Sequence, residues 1–291
     1  MIYFIYRLYG ELILRLPLKI SYRVARVVGG AAYLLMRKDR RERIKIIEKI
    51  FENKIARKEA RKIIWASYKE FNKSLVDFFR IPRLNKKYLS NYVDVTGQEN
   101  LDAVLGEGRG ALLAGFHVGN GGFAASLLAL KGYPVNIVVW KDINKRVDNL
   151  FQAIRQSKGV RIIYSRHAPK GVLEALKRNE IAAMTLDLSG GNKGVRLKCW
   201  GKEIRIARGA FVFAQKQGVP ILPAVIIRRS DDTHKIIIGK PVKVKLKQNK
   251  EKGFEKESAV GIFNFFKGYI EEHPEQWYWL RNLWQDTESS Q

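Results

Sequence analysis

The chain has 291 residues, of which 46% are apolar and 11% aromatic, enough to bury one large core or two small ones and too apolar for a disordered protein. Its 54 Lys and Arg stand against 28 Asp and Glu, a net charge of +26, which favours an acidic partner: nucleic acid, anionic lipid or an acidic carrier protein. A single cysteine, Cys199, excludes an internal disulfide and a Cys-rich zinc site, and suits a reducing compartment.

Residues 1–36 are rich in Ile, Leu, Tyr and Val, but Arg7, Glu11, Arg15, Lys19, Arg23 and Arg26 interrupt them, so no apolar span of bilayer length survives. The same charges break the apolar region a secretory signal needs, and the segment is expected to stay on the mature protein. Basic residues at positions 15, 19, 23 and 26 recur at helical spacing beside a stripe of Leu12, Leu16, Ile20, Val24 and Val27. That pattern suits helices lying in a membrane interface, with amphipathic helices capping a soluble core as the alternative, and the charge nearby tips the balance to the first. Pro17 should divide the segment into two helices. Residues 1–90 hold 23 Lys and Arg against 8 Asp and Glu, more than half of the net charge in under a third of the chain. Each basic residue close to an anionic leaflet contributes about 1 kcal/mol. The dense run Arg37-Lys-Asp-Arg-Arg-Glu-Arg43 is by itself an ordinary solvated helix face.

Helical periodicity extends to about Phe79, and Pro82 punctuates its end. Beyond Tyr92 short apolar runs at 92–96, 110–117, 135–140, 160–164, 181–186, 221–227 and 235–238 alternate with amphipathic stretches near 101–105, 123–131, 146–157, 171–178 and 209–217. Such alternation predicts an α/β fold: a mixed, largely parallel sheet covered by helices, here preceded by a helical, membrane-docking cap. Residues 254–272 read as a closing helix. The expected division is a basic helical cap over 1–90 and an α/β core over 91–291. The uncharged stretch 111–130 has the length of a transmembrane helix, but His117, Asn120 and its clustered glycines suit a buried strand, a tight loop and a helix.

That loop, Gly115-Phe-His-Val-Gly-Asn-Gly-Gly-Phe123, leaves the carboxyl end of a predicted strand, where open α/β sheets gather their chemistry. His117 there is a candidate general base, with a hydrogen-bonded structural histidine as the alternative. The glycines and the helix start at Phe123 suit an oxyanion or a phosphate. Gly119-Asn-Gly-Gly-Phe-Ala124 also fits the dinucleotide-binding pattern, with Asp142 placed near the expected ribose acid; His117 has no role in that arrangement. His167 and His234 fall in predicted loops and are expected to be solvated, while Trp277 and Trp279 are expected to anchor the core or an interface.

At the same loop the sequence resembles the lipid A late acyltransferase family, the lauroyl and myristoyl transferases of the wider lysophospholipid acyltransferase superfamily. Their motif H-x-x-x-x-[D/E] reads His117-Val-Gly-Asn-Gly-Gly122 here. Similar family features are Val93-Asp-Val-Thr-Gly-Gln-Glu-Asn-Leu101 before the motif and Arg155 in Ile154-Arg-Gln-Ser-Lys-Gly159 after it. Further on come Asp187, Gly194-Val195, Trp200-Gly201, Gly218-Val-Pro-Ile-Leu-Pro-Ala224 and the closing His273-Pro-Glu-Gln-Trp-Tyr-Trp279. The resemblance implies acyl transfer from an acyl thioester, on acyl carrier protein or coenzyme A, to a hydroxyl of a glycolipid or lipid A precursor at the cytoplasmic face of the bacterial inner membrane. It implies His117 as base, Arg155 as a phosphate or charge ligand, and the amides of Gly119, Asn120, Gly121 and Gly122 as an oxyanion cradle. Implied partners are the membrane surface, acyl carrier protein and a lipid acceptor, without nucleic acid, metal or any cofactor beyond the acyl donor.

Three positions depart from the family pattern, the first being Gly121 where the motif has a tryptophan. Gly122 replaces the motif carboxylate that orients the histidine, and Leu188 replaces the glutamine that follows the family's aspartate. A weak or inactive lipid-binding homologue, an altered enzyme and a substitute carboxylate all remain open. Asp187 is the candidate substitute, because its strand should end on the same edge of the sheet.

Overall fold

The computed structural model describes residues 2–52, 54–187, 194–244 and 254–278. Four helices come first: α1 (Ile2–Arg15), α2 (Leu18–Leu35), α3 (Arg37–Ile50) and α4 (Arg57–Arg80). The break between α1 and α2 falls at Pro17, which has no N–H to continue a helix. Two further breaks, at Met36 and around 51–56, carry no proline and divide the periodic stretch more finely than the sequence suggests.

The inner face of α2 is made of small residues, Ser21, Ala25, Gly29 and Gly30, with Tyr22. A side chain at Gly29 would sit 2.6 Å from the Tyr68 carbonyl of α4, so glycine sets how closely the two helices approach. The large apolar side chains face outward instead. Ile2, Phe4, Ile5, Leu8 and Leu12 of α1 and Ile20, Val27, Val28, Leu34 and Leu35 of α2 are all exposed.

The α/β part runs α5 (Lys86–Tyr92), β1 (Val93–Thr96), α6 (Gln98–Gly106), β2 (Ala111–Gly115), α7 (Gly121–Leu130), β3 (Val135–Val139), α8 (Lys145–Gln156), β4 (Arg161–Tyr164), α9 (Ala168–Lys177) and β5 (Ile181–Thr185). After it come β6 (Val195–Cys199), β7 (Lys202–Ile206), α10 (Gly209–Gln217), β8 (Ile221–Arg228), β9 (His234–Ile238) and α11 (Phe254–Glu272). Seven strands form one sheet in the order β1-β9-β8-β2-β5-β3-β4, parallel throughout except for the β8/β9 pair. Strand β2 is buried on both faces, as the near-continuous apolar run Ala-Leu-Leu-Ala requires. No helix among the described residues is long and apolar enough to cross a membrane.

Sequence periodicity missed two features. Helix α5 was not expected, and β6 and β7 form a separate antiparallel hairpin. Its signal was present: Val195, Leu197 and Cys199 are buried while Arg196 and Lys198 are exposed, and Trp200-Gly201 turns the chain with both residues at positive φ.

Candidate functional site

Strands β2 and β5 are parallel neighbours, with Gly115 opposite Thr185. Continuing that register by two residues sets His117 beside Asp187, so the sheet itself joins residues 70 positions apart. The Leu186 amide donates to the Gly115 carbonyl at 2.9 Å, and the His117 amide donates to Asp187 Oδ2 at 2.7 Å. His117 Nδ1 lies 2.7 Å from Asp187 Oδ1. The indole Nε1 of Trp277 donates to Asp187 Oδ2 at 3.1 Å. Asp187 is fully buried, and three nitrogens converge on its two oxygens.

His117 is partly exposed, and its Nε2 has no partner among the described residues. Burial lowers the imidazole's pKa, but the charge and hydrogen bond of Asp187 outweigh it, so the net shift is upward from 6.5. A carboxylate on Nδ1 fixes the neutral tautomer with its proton there and leaves Nε2 to accept one.

Of the four amides expected to cradle an oxyanion, that of Gly119 is otherwise engaged. The Gly119 amide donates to the Gln276 carbonyl at 2.8 Å, and Gly119 itself is held at φ +66° with its α-carbon against Ile226. The Asn120 side chain caps α7 by accepting from the Phe123 amide at 3.0 Å, while its Nδ2 donates to the Ser74 carbonyl of α4 at 2.8 Å. The Gly119 amide is thereby taken up within the protein, and the Asn120 side chain has a structural task. The amides of Gly121 and Gly122, in the first turn of α7, have no protein acceptor among the described residues, as first-turn amides do not. A Cβ at Gly122 would meet only Asn120 Oδ1 within 4 Å, at 3.7 Å, so a side chain can leave the backbone there without a clash.

Arg155 is not in contact with the pair. Its guanidinium lies 5.2 Å from the Phe78 ring centroid and 5.8 Å from that of Phe151, and burial lowers its pKa. Asp142 is exposed and serves the turn into α8, accepting from the Asn144 amide at 2.7 Å. Leu188 and Trp279 lie outside the described residues.

Two parts of the site were missed by sequence reasoning. One is the segment 276–278, which crosses the motif loop. The other is a buried polar cluster behind it, where Arg228 pairs with Asp77 and with Glu70, Tyr22 donates to Asp77 at 2.5 Å, and His234 Nε2 lies 3.3 Å from Asp77. His234, expected in solvent, is thus buried at the start of β9; its neighbours in the pattern Lys-Ile-Ile-Ile gave only the strand. His167, by contrast, is exposed. Among the described residues no group of three His, Cys, Asp or Glu side chains could hold a metal ion.

The model of the bacterial lipid A biosynthesis acyltransferase family matches residues 1–286. Two curated proteins called phosphatidylinositol mannoside acyltransferase, from two strains of Mycobacterium tuberculosis, are each 26% identical over 167 residues, which is 55% of this chain and 53% of theirs. The chain therefore spans about half the length of the curated relatives it matches.

Proposed function

Because the chain belongs to the bacterial lipid A biosynthesis acyltransferase family, we propose that it moves a fatty acyl chain from an acyl thioester to a hydroxyl of a glycolipid or lipid A precursor, with His117 as general base. The observation that carries this reading is the His117 and Asp187 pair, one nitrogen held by a buried carboxylate at 2.7 Å and the other without a partner among the described residues. Nε2 takes the proton of the acceptor hydroxyl, whose oxygen attacks the thioester carbonyl. The tetrahedral intermediate carries its charge on the former carbonyl oxygen, which the amides of Gly121 and Gly122 and the positive end of α7 stabilise. The C–S bond then breaks, and the imidazolium returns its proton to the departing thiolate. Asp187 serves here in place of the carboxylate absent at Gly122, by favouring the imidazolium that forms. Arg155, a half-buried cation over the Phe78 and Phe151 rings with the charge of Asp148 acting on it, is the proposed ligand of a phosphate on donor or acceptor.

We propose further that α1 and α2 dock at the cytoplasmic face of a bacterial inner membrane, where their outward apolar faces would be buried and nearby Lys and Arg would meet anionic headgroups. The donor is acyl carrier protein or acyl coenzyme A, the first of which would be drawn to the basic surface, and no redox cofactor or metal takes part. The test is acyl transfer by the purified chain from each labelled donor to a panel of lipid acceptors, beside His117→Ala. Transfer abolished by that change supports the reading. A native chain that binds lipid vesicles yet is inert on every donor and acceptor would favour the second reading, a lipid-binding homologue, which the vacant position at Gly122 motivates.

A further inference from the structure

Residues 276–278, shortly after α11, form a strap across the motif loop. Val118 and Trp277 are joined by an antiparallel bridge. The Gly119 amide donates to the Gln276 carbonyl at 2.8 Å, and the Tyr278 amide donates to the His117 carbonyl at 3.0 Å. The Gln276 side chain grips the backbone of Arg228 at the end of β8 from both sides: its Oε1 accepts from the Arg228 amide and its Nε2 donates to the Arg228 carbonyl, each at 2.8 Å. Between these anchors Trp277 is 1% exposed and its ring lies 5.8 Å from that of Trp200. A tryptophan so held has little freedom to move its N–H, and that N–H points at Asp187.

We propose that Trp277 is a positioning residue: its indole N–H holds Asp187 Oδ2, so that Oδ1 stays aimed at Nδ1 of His117 and the basicity of His117 is set from the strap. The inference rests on His117 being the base proposed above. Asp187 has two oxygens and three donors. The Trp277 indole and the His117 amide share Oδ2, which fixes the carboxylate's rotation and leaves Oδ1 for the ring. A donor on one oxygen also draws charge from the other, so it moderates the pull of Asp187 on the imidazole. Asp187 raises the pKa of His117 through its charge and its hydrogen bond, against the opposing effect of burial.

The experiment follows the ionisation of His117 by NMR in the native full chain and in Trp277→Phe, which keeps an aromatic body and removes the donor. The midpoint of His117 should rise by about half a pH unit in the variant, since only part of a hydrogen bond to a charged group passes from one oxygen to the other. The acid limb of the pH profile of acyl transfer should move by the same amount, which below that limb is about threefold in rate, with KM for the acceptor unchanged. A lower kcat with an unmoved midpoint and limb would make Trp277 merely structural and overturn the proposal. The native chain supplies a second measurement that does not require the variant to fold: the indole N–H resonance of Trp277 should titrate with the midpoint of His117, and an indole signal that ignores that titration overturns the proposal. If the indole and imidazole titrate together while the native chain transfers no acyl group, the relay stands and the acyl-transfer reading falls. If transfer occurs but the indole stays unmoved, only the role of Trp277 falls.

Discussion

Asp187→Asn is the change whose outcome the geometry determines most closely. Asparagine has the shape of aspartate but one acceptor and one donor group where aspartate has two acceptors. With its carbonyl oxygen in the place of Oδ2, it keeps the bonds from the His117 amide and the Trp277 indole. Its NH2 then faces Nδ1. With the amide turned over, the NH2 would confront both of those N–H donors, leaving two buried donors unsatisfied at roughly 1–3 kcal/mol each. The first orientation therefore wins, and the NH2 opposite Nδ1 forces the imidazole proton onto Nε2. A histidine in that tautomer cannot accept the acceptor's proton. The expected loss in kcat is about 10⁴-fold, the scale of disabling the orienting carboxylate in a serine-protease triad, or about 5 kcal/mol of barrier. The pKa of His117 should fall below its ordinary 6.5, because burial remains and both upward influences of Asp187 are gone. The fold should survive, since two of the three bonds to the side chain are kept. Acyl transfer and the ring-nitrogen NMR shifts of His117 check this together. A variant active within tenfold of the native chain, or one that keeps its proton on Nδ1, would refute the dyad.

Other outcomes follow from the same structure. Activity of the native chain should be lost as pH falls through the raised pKa of His117, with the half-point above 6.5; in stability the sign reverses, the pair's contribution being complete below pH 6.5 and lost as pH rises through the folded-state value, which urea unfolding across pH 5.5 to 9 would measure. Gly119→Ala should cost about 3 kcal/mol or more, because its Cβ would fall 1.9 Å from the Ile226 carbonyl at φ +66°; thermal unfolding checks it. Gly122→Glu should leave stability unchanged or raise it by about 0.5 kcal/mol, the side chain leaving the backbone without a clash in the first turn of α7, and a drop of several degrees in Tm would contradict that. Asp77→Asn should cost about 1.5–3 kcal/mol, since Arg228 loses its buried carboxylate partner while keeping its pair with Glu70. The native Asp77 carboxyl is held down to about 2, burial opposing and Arg228 and His234 prevailing, so its contribution should persist until pH falls below the usual carboxylate range.

The alternation of apolar runs and amphipathic stretches after Tyr92, the break at Pro17 and the closing helix Phe254–Glu272 were legible in the sequence, because periodicity and proline act within a few residues. His117 was legible for a similar reason: it stands at a strand end before a glycine loop. Less could be read where the pattern was short or the tasks were shared. The hairpin of β6 and β7 spans two five-residue strands, and the glycine loop divides its amides between a possible ligand and its own neighbours, a division no local pattern reveals. The partner of His117 could be expected on the same edge but not placed, because its position depends on the β2 and β5 register across 70 residues. Tertiary structure alone decided that Gln276 to Tyr278 cross the motif loop, that His234 is buried against Asp77, and that the small residues of α2 turn inward while its large ones face out. Each of these is set by which distant segments come to lie together, and a chain's local chemistry carries no record of that until burial and hydrogen bonding select one arrangement.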